Sequence, residues 1–208
     1  YHMDRNSLSE IARVHMETRI TNKFREPGYL YDHSLRVASI TEKLHELETG
    51  EKELDVVNYA GALFHDIGKG FNRHNEIGAA VARELLAHLF SDAELEDICR
   101  IVLGHPLRKT DETEGFYPLA LVQDADIIDH HGTQEVWLKF RRSAGEGERQ
   151  RSVRDFFEKE NGKGVYEEKR RLLNLESSKK VYDERIAFVR GFFGRFAVES
   201  DGRIVGEF

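Results

Sequence analysis

The spacing of the apolar residues is the feature that most constrains how this 208-residue chain can fold. Through most of its length these residues recur at steps of three and four, and few stretches show the alternation that strands require. Only three prolines interrupt the pattern. The sequence therefore predicts an all-α protein, built as a helical bundle with a C-terminal helical extension.

Glycine, proline and capping residues mark where the predicted helices begin and end. Ser91-Asp92-Ala93-Glu94 has the layout of a capping box, and Gly68 stands where a glycine would terminate a helix. A loop is predicted over 106–115, and a mobile connector or lid over 142–164, where charged residues mix with four glycines. The predicted helices cover 7–21, 30–47, 53–67, 74–89, 91–104, 118–137 and, as one long helix or a helix pair, 165–198.

The length of the chain suits one domain with a terminal extension. We expect a metal-binding helical domain over 4–140, with 141–208 forming a mobile connector and C-terminal helices that pack on the same domain. Residues 1–3 resemble the remnant of a purification tag, which excludes His2 from any site. No apolar run approaches the roughly 20 residues that span a bilayer, so a soluble protein with no membrane partner is expected.

Cysteine content and charge restrict the classes of site and partner. Cys99 is the single cysteine, so an internal disulfide and a thiolate-rich zinc site are ruled out, as suits a reducing cytoplasm. Any metal must be held by histidine and carboxylate. The formal net charge of −7 argues against a nucleic-acid partner, but a bound cation can still attract a small anionic substrate.

Several predicted helices direct a histidine or an aspartate toward the core. His33, for example, precedes Val37 and Ile40 by four and seven positions and so continues their buried stripe. A single inward histidine is more often a hydrogen-bonded core residue than a ligand. Burying a whole set is unfavourable unless each member is paired or bound to metal, so the set indicates a common metal centre. Its members are His33, His65, Asp66, His74, His105 and Asp126.

Three motifs, in this order along the chain, resemble the HD-domain metal-dependent phosphohydrolase superfamily, in particular its small single-domain bacterial members. They are Tyr31-Asp32-His33-Ser34, Phe64-His65-Asp66-Ile67-Gly68-Lys69 and Gln123-Asp124-Ala125-Asp126-Ile127-Ile128-Asp129. The resemblance covers about residues 30–130. It implies an HD-domain helical bundle in which a divalent metal is held by His33, His65, Asp66 and Asp126. Asp124 and Asp129 remain alternatives to Asp126, and Asp129 is also a candidate for supporting the ligands.

Some branches of this superfamily add two histidines and bind a second metal. His74 and His105 resemble those additional ligands, so one or two ions are expected. Mixed imidazole and carboxylate ligands suit manganese, iron, cobalt, nickel or zinc, and magnesium is also a candidate. The resemblance favours manganese or iron.

The activity implied by the resemblance is metal-dependent hydrolysis of a phosphoester or phosphoanhydride bond in a nucleotide or a related small phosphorylated metabolite. Asp66 is then the candidate general base. Lys69 either binds a substrate phosphate or is a solvated cation at a helix end. Arg73 and Arg108 lie in predicted loops next to His74 and His105. Either could add a contact with a substrate phosphate, but a plain surface position is the favoured prediction for both.

Two other classes of function fit the same residues. One branch of the superfamily uses two irons with oxygen to cleave carbon bonds, so a di-iron oxygenase is the main alternative hypothesis. A non-catalytic sensory or binding HD domain, in which the metal is structural, is the other. Iron content, oxygen consumption and phosphate release distinguish the three.

Overall fold

Ten helices and no strand make up the part of the chain that the computed structural model describes, residues 4–109 and 115–205. The all-α prediction is confirmed. The proposed tag remnant at 1–3 and residues 110–114 of the predicted loop lie outside the described residues. The helices are α1 (Arg5–Met16), α2 (Tyr29–Thr49), α3 (Val56–Phe64), α4 (His74–Leu86), α5 (Asp92–Gly104), α6 (Tyr117–Asp129), α7 (Thr133–Gly145), α8 (Gln150–Gly162), α9 (Val165–Leu172) and α10 (Glu176–Ser200).

Local capping explains where the helices around the site begin. The side chain of Asp55 accepts a hydrogen bond from the backbone of Val57 at the start of α3. At the start of α5, Ser91 and Glu94 form the predicted capping box, each side chain bonding the other residue's backbone N–H. Both helices therefore start at fixed positions, and their far ends carry His65 and His105.

The core lies where α2, α3, α5 and α6 meet. α2 packs on α3 and α6, and α5 packs on α3 and α4, so α3 is enclosed on several sides. Seven of its nine residues are buried, which explains why this segment is almost entirely apolar rather than amphipathic. α3 therefore ends at the centre of the bundle, and His65 and Asp66, which come directly after it, are buried there.

The predicted helix over 118–137 is wrong, because the structure divides it into α6 and α7. α6 ends at Asp129, and the chain turns at Gly132, whose φ of 79° and ψ of −136° are open only to glycine without strain. The apolar pattern continues through the break, so periodicity alone could not reveal it. The turn places His130 at the edge of the candidate site.

The segment predicted as a mobile connector is largely helical, which corrects that prediction of its secondary structure. α8 covers Gln150–Gly162 and buries Val153 and Phe157 against the rest of the molecule. The abundance of charged residues concealed this short apolar stripe. The division of the chain near residue 140 stays a prediction.

The C-terminal segment is the helix pair α9 and α10, and α10 packs against α2, α6, α7 and α8. Asp124 anchors it, since its carboxylate accepts hydrogen bonds from the backbone N–H groups of Asn174 and Leu175 at 2.8 and 2.9 Å. Among the described residues, no helix combines the length and apolar character that crossing a membrane requires.

Candidate metal centre

The structure brings together the four residues predicted to hold a metal. The Nε2 atom of His33 lies 3.7 Å from Oδ2 of Asp66 and 3.5 Å from Oδ1 of Asp126. The Nε2 atom of His65 lies 3.9 and 4.0 Å from the same two oxygens. Two imidazole nitrogens and two carboxylate oxygens from three parts of the chain thus face one small space, and such a set of ligands suits a divalent ion.

Both histidines point an unpartnered nitrogen into this space. Within residues 4–109 and 115–205, Nε2 of His33 and Nε2 of His65 are buried and have no hydrogen-bond partner. Their Nδ1 atoms are engaged, that of His33 by Asp129 at 2.8 Å and that of His65 by the carbonyl of Ala62, also at 2.8 Å. A buried polar atom left without a partner costs about 1–3 kcal/mol. The residues therefore fit a metal, which would satisfy both nitrogens at once.

A second group lies on the other side of Asp66. Its Oδ1 atom is 3.3 Å from Nε2 of His105 and 3.7 Å from Nε2 of His74. The Nδ1–H of His105 donates to the carbonyl of Val102 at 2.7 Å, which leaves Nε2 as the atom available to a ligand. The two oxygens of Asp66 thus face different histidine pairs, so Asp66 belongs to both groups of candidate ligands.

The turn after α3 sets this geometry through a close backbone contact. A Cβ atom on Gly68 would lie 1.9 Å from the carbonyl oxygen of His74 and 2.6 Å from the amide nitrogen of Gly78. The prediction that Gly68 terminates a helix is wrong, since α3 ends at Phe64 and Gly68 lies in the turn against α4. Arg19 fastens the same turn by donating to the carbonyls of Ile67 and Lys69.

Asp126 is the aspartate of its motif that reaches the site. Asp129 instead accepts the Nδ1–H of His33 and a two-pronged contact from Arg36 at 2.7 and 3.0 Å, so it supports a ligand. Asp124 faces the start of α10. The carboxylate of Asp126 is held by Arg108, which donates to its Oδ2, and by His130, whose Nδ1 lies 3.4 Å from its Oδ1.

Over residues 30–155 the sequence matches the family described as the HD domain, which is more than half of the chain. The chain belongs to the HD domain family. This confirms the resemblance carried by the His33, His65-Asp66 and Asp126 motifs. No curated protein matches the chain.

Solved structures share this HD-domain fold at low sequence identity. A predicted HD superfamily hydrolase from an uncultured Thermotogales bacterium aligns with a TM-score of 0.60 at 19% identity, over 94% of this chain and 92% of its own. Bacillus subtilis YpgQ, in complex with ADP, aligns at 0.58 and 15% identity, over 90% and 94%. A Lactobacillus plantarum protein aligns at 0.60 and 18%, over 96% and 99%. The HD domain supports a metal-dependent phosphohydrolase at the level of the superfamily.

The charge states in this HD domain favour a bound cation. Burial lowers the pKa of His65 to about 3, so its ring is neutral near pH 7 as a ligand must be. Burial acts to raise the pKa of Asp66, but the imidazoles of His65 and His105 hold it well below its usual range. The pKa of Asp126 is likewise held low, against the effect of burial, by His130 and His33. Two ionised carboxylates thus lie in a buried site.

The surroundings of His33 also favour a positive charge, and here the sign is a raised pKa. Burial acts to lower its pKa, but the carboxylate of Asp126, 3.5 Å from Nε2, and the hydrogen bond with Asp129 outweigh burial and raise the pKa to about 9. The carboxylates that favour a proton on this ring favour any other cation beside it.

Lys69 lies at the mouth of the site, with Nζ 3.2 Å from Oδ2 of Asp66 and nearly half of its side chain exposed. Arg73 forms an exposed ion pair with Glu76, as the surface prediction requires. The same prediction for Arg108 is wrong, since its side chain is mostly buried against Asp126.

His130 was not singled out from the sequence, although its position four residues after Asp126 on one helical face is a signal that could have identified it.

A cavity of about 500 Å³ opens beside His130, between the segment after α1 and the helices α7 and α8. The ring of His130 lies 4.8 Å from that of His33, centroid to centroid, so the cavity reaches the edge of the candidate metal centre. Its other lining residues include Phe24, Arg25, Glu135, Lys139, Arg142 and Phe156. Aromatic rings, cations and a buried carboxylate thus surround a space next to the ligands.

Proposed function

We propose that this HD domain protein hydrolyses a phosphoester or phosphoanhydride bond in a nucleotide or a related small phosphorylated metabolite. The observation that carries the proposal is the pair of buried, unpartnered Nε2 atoms of His33 and His65 facing the carboxylates of Asp66 and Asp126. A structural bundle has no reason to leave both nitrogens unsatisfied.

The four residues just named are the proposed ligands of one divalent ion, and Asp66 with His74 and His105 are the proposed ligands of a second. Manganese, iron, cobalt, nickel, zinc and magnesium are the candidates. When bound, such an ion acidifies its water and neutralises charge that develops on the phosphoryl oxygens.

The protein's own groups then have separate tasks. Asp66, ionised and buried, is placed to accept a proton from the attacking water on a carboxylate oxygen. Lys69 is placed to bind a phosphate oxygen, because its ammonium is exposed at the mouth of the site and adjoins Asp66. Asp129 and Arg108 hold His33 and Asp126 in position.

Two observations support a nucleotide as the substrate. YpgQ, which shares the fold, was solved in complex with ADP. The cavity beside His130 has two phenylalanine rings and three cations among its lining residues, a combination that suits a flat base with an attached phosphate. We also propose that the protein acts in the cytoplasm and that its partner there is a small phosphorylated molecule.

The test is phosphate release by the purified protein with each candidate metal, across a panel of nucleotides and phosphoesters, after elemental analysis of the protein as isolated. We expect His65→Ala and Asp66→Ala each to abolish metal-dependent release while the circular dichroism of the helices stays unchanged. His88→Ala is the matched control, since His88 is exposed in the turn that follows α4. Full activity in both site variants, or oxygen consumption in place of phosphate release, contradicts the proposal.

A further inference from the structure

Glu135, at the start of α7, is a buried carboxylate that the proposed chemistry does not use. Only 8% of the residue is exposed. Its Oε1 accepts a hydrogen bond from the hydroxyl of Tyr166 at 2.5 Å and lies 3.4 Å from Nζ of Lys139. Its Oε2 is shielded from water and has no hydrogen-bond partner within residues 4–109 and 115–205. An acceptor in such surroundings is costly to leave unpaired.

Glu135 is one of the residues that line the cavity beside His130. Glu135 and Lys139 line the cavity, whereas Tyr166 does not. Because the hydroxyl of Tyr166 already occupies Oε1, Oε2 is the oxygen of Glu135 that still lacks a partner and that a group in the cavity could satisfy. An ionised carboxylate can only accept hydrogen bonds, so the group that satisfies Oε2 has to bring an N–H or O–H.

The walls of the cavity indicate which kind of donor fits. Phe24 and Phe156 both line it, and the guanidinium carbon of Arg142 lies 5.9 Å from the centroid of the first ring and 5.2 Å from that of the second. A planar group already lies against both rings. Flat heteroaromatic rings stack on phenylalanine in the same way, and a ribose hydroxyl would gain little from such walls.

We propose that Glu135 is a specificity-determining residue, whose Oε2 accepts a hydrogen bond from the exocyclic amino group of a nucleobase lying against Phe24 and Phe156. The proposal rests on the proposed function, because the phosphate of the same nucleotide has to reach the candidate metal centre past His130. In this proposal the side chain of Glu135, which lines the cavity, turns on binding so that Oε2 meets the base. Adenine, guanine and cytosine carry the required amino group.

The test measures base recognition separately from hydrolysis. Isothermal titration calorimetry of the full chain compares adenosine, guanosine and cytidine with their counterparts lacking the exocyclic amino group, which are purine riboside, inosine and 2-pyrimidinone riboside. We expect at least one amino-bearing nucleoside to bind about 10- to 100-fold more tightly than its counterpart, the effect of a hydrogen bond to a charged group. Nucleosides carry no phosphate, so binding does not depend on the metal centre.

Glu135→Gln is the diagnostic variant. The hydroxyl of Tyr166 retains the amide oxygen as its acceptor, so the amide NH₂ takes the place of Oε2 and the preference for the amino group should fall to about one. Glu148→Gln is the matched control, because it removes the same charge from another residue of the lining, one that contacts Ser143 and not Lys139, and leaves Glu135 and its partners in place. The preference should persist there.

Two results would overturn the inference: a wild-type protein that does not distinguish the paired nucleosides, and a Glu135→Gln protein that distinguishes them as the wild type does. Either result leaves the proposed hydrolase standing if the metal-loaded wild type still releases phosphate. Failure of that release across the panel counts against the hydrolase instead, so the two failures are distinguishable.

Discussion

Replacing Gly68 with Ala tests whether the turn after α3 sets the relation between the two candidate metal groups. A Cβ atom at this position lies 1.9 Å from the carbonyl oxygen of His74, and real Cβ atoms essentially never come closer than 3.0 Å to such an atom. The two segments must therefore separate by at least 1.1 Å, the difference between these distances. Backbone lies on both sides of the contact, so no side-chain rotation relieves it.

Two consequences are expected from this displacement. Overpacking against backbone lowers the free energy of unfolding by about 3 kcal/mol, which for a chain of this length lowers Tm by roughly 6–12 °C. His74 also moves away from Asp66, whose Oδ1 lies 3.7 Å from its Nε2. The group formed by Asp66, His74 and His105 therefore opens, and the metal content per chain falls.

Calorimetric melting gives Tm, and elemental analysis gives the metal content of the same sample. Gly194→Ala is the matched control, because a Cβ there meets no described atom within 4 Å and alanine inside a helix stabilises by about 0.5–1 kcal/mol relative to glycine. An unchanged Tm together with unchanged metal content in the Gly68→Ala protein would refute the reasoning.

Three other carboxylates give further tests. Asp129→Asn should weaken Mn²⁺ binding about 10- to 100-fold by titration calorimetry, because a neutral amide replaces the carboxylate that holds Nδ1 of His33; equal affinity would count against that role. Asp124→Ala should lower the urea-derived free energy of unfolding by about 2 kcal/mol with metal affinity retained, and a lost metal would contradict its assignment as an anchor of α10. Burial raises the pKa of Glu135 above 4.5 in the folded chain, so the folded state keeps a proton that the unfolded state releases, and wild type should lose stability relative to Glu135→Gln as pH rises from 4.5. Parallel denaturation curves across pH for the two proteins would disprove the last point.

The burial of two candidate ligands, His33 and His105, could be predicted from the sequence because these residues extend apolar stripes. His33 and His105 are each 3% exposed or less, as their positions on α2 and after α5 predicted. A polar residue in line with buried ones has to point inward, whatever the packing of the helices. Helix periodicity therefore revealed the burial of the ligands, while the motifs indicated their chemistry.

His74 shows where this reasoning failed. Ile77 and Val81 follow His74 at three and seven positions, a spacing that predicts a buried stripe. That prediction is wrong, since Ile77 is 37% exposed and the buried face of α4 carries Gly78 and Ala79 instead. Small residues are buried here because the turn at Gly68 approaches them closely. Glycine and alanine are only weakly hydrophobic, so an apolar pattern in the sequence does not mark them as buried. His74 reaches Asp66 from the start of the helix, through this backbone contact rather than through a stripe.

Contacts between distant parts of the chain were also beyond the sequence. Arg108 and Asp126 are 18 positions apart in the sequence, and Arg36 and Asp129 are 93 positions apart. Nothing in local spacing determines which arginine pairs with which aspartate, since that depends on how α2, α5 and α6 pack. The partners that orient the ligands are thus a property of the tertiary structure.

The charge around Asp66 and Asp126 connects metal binding with substrate binding. Both carboxylates are ionised, Asp66 is buried and Asp126 is mostly so, and the nearby cations are already engaged: Arg108 binds Asp126 and Lys69 contacts Asp66. These cations are thus paired with carboxylates and leave little net positive charge to attract a phosphate. A divalent ion would add two positive charges to the site. Affinity for a phosphorylated ligand should therefore depend on prior occupation by metal, whereas recognition of a base in the cavity beside His130 should not.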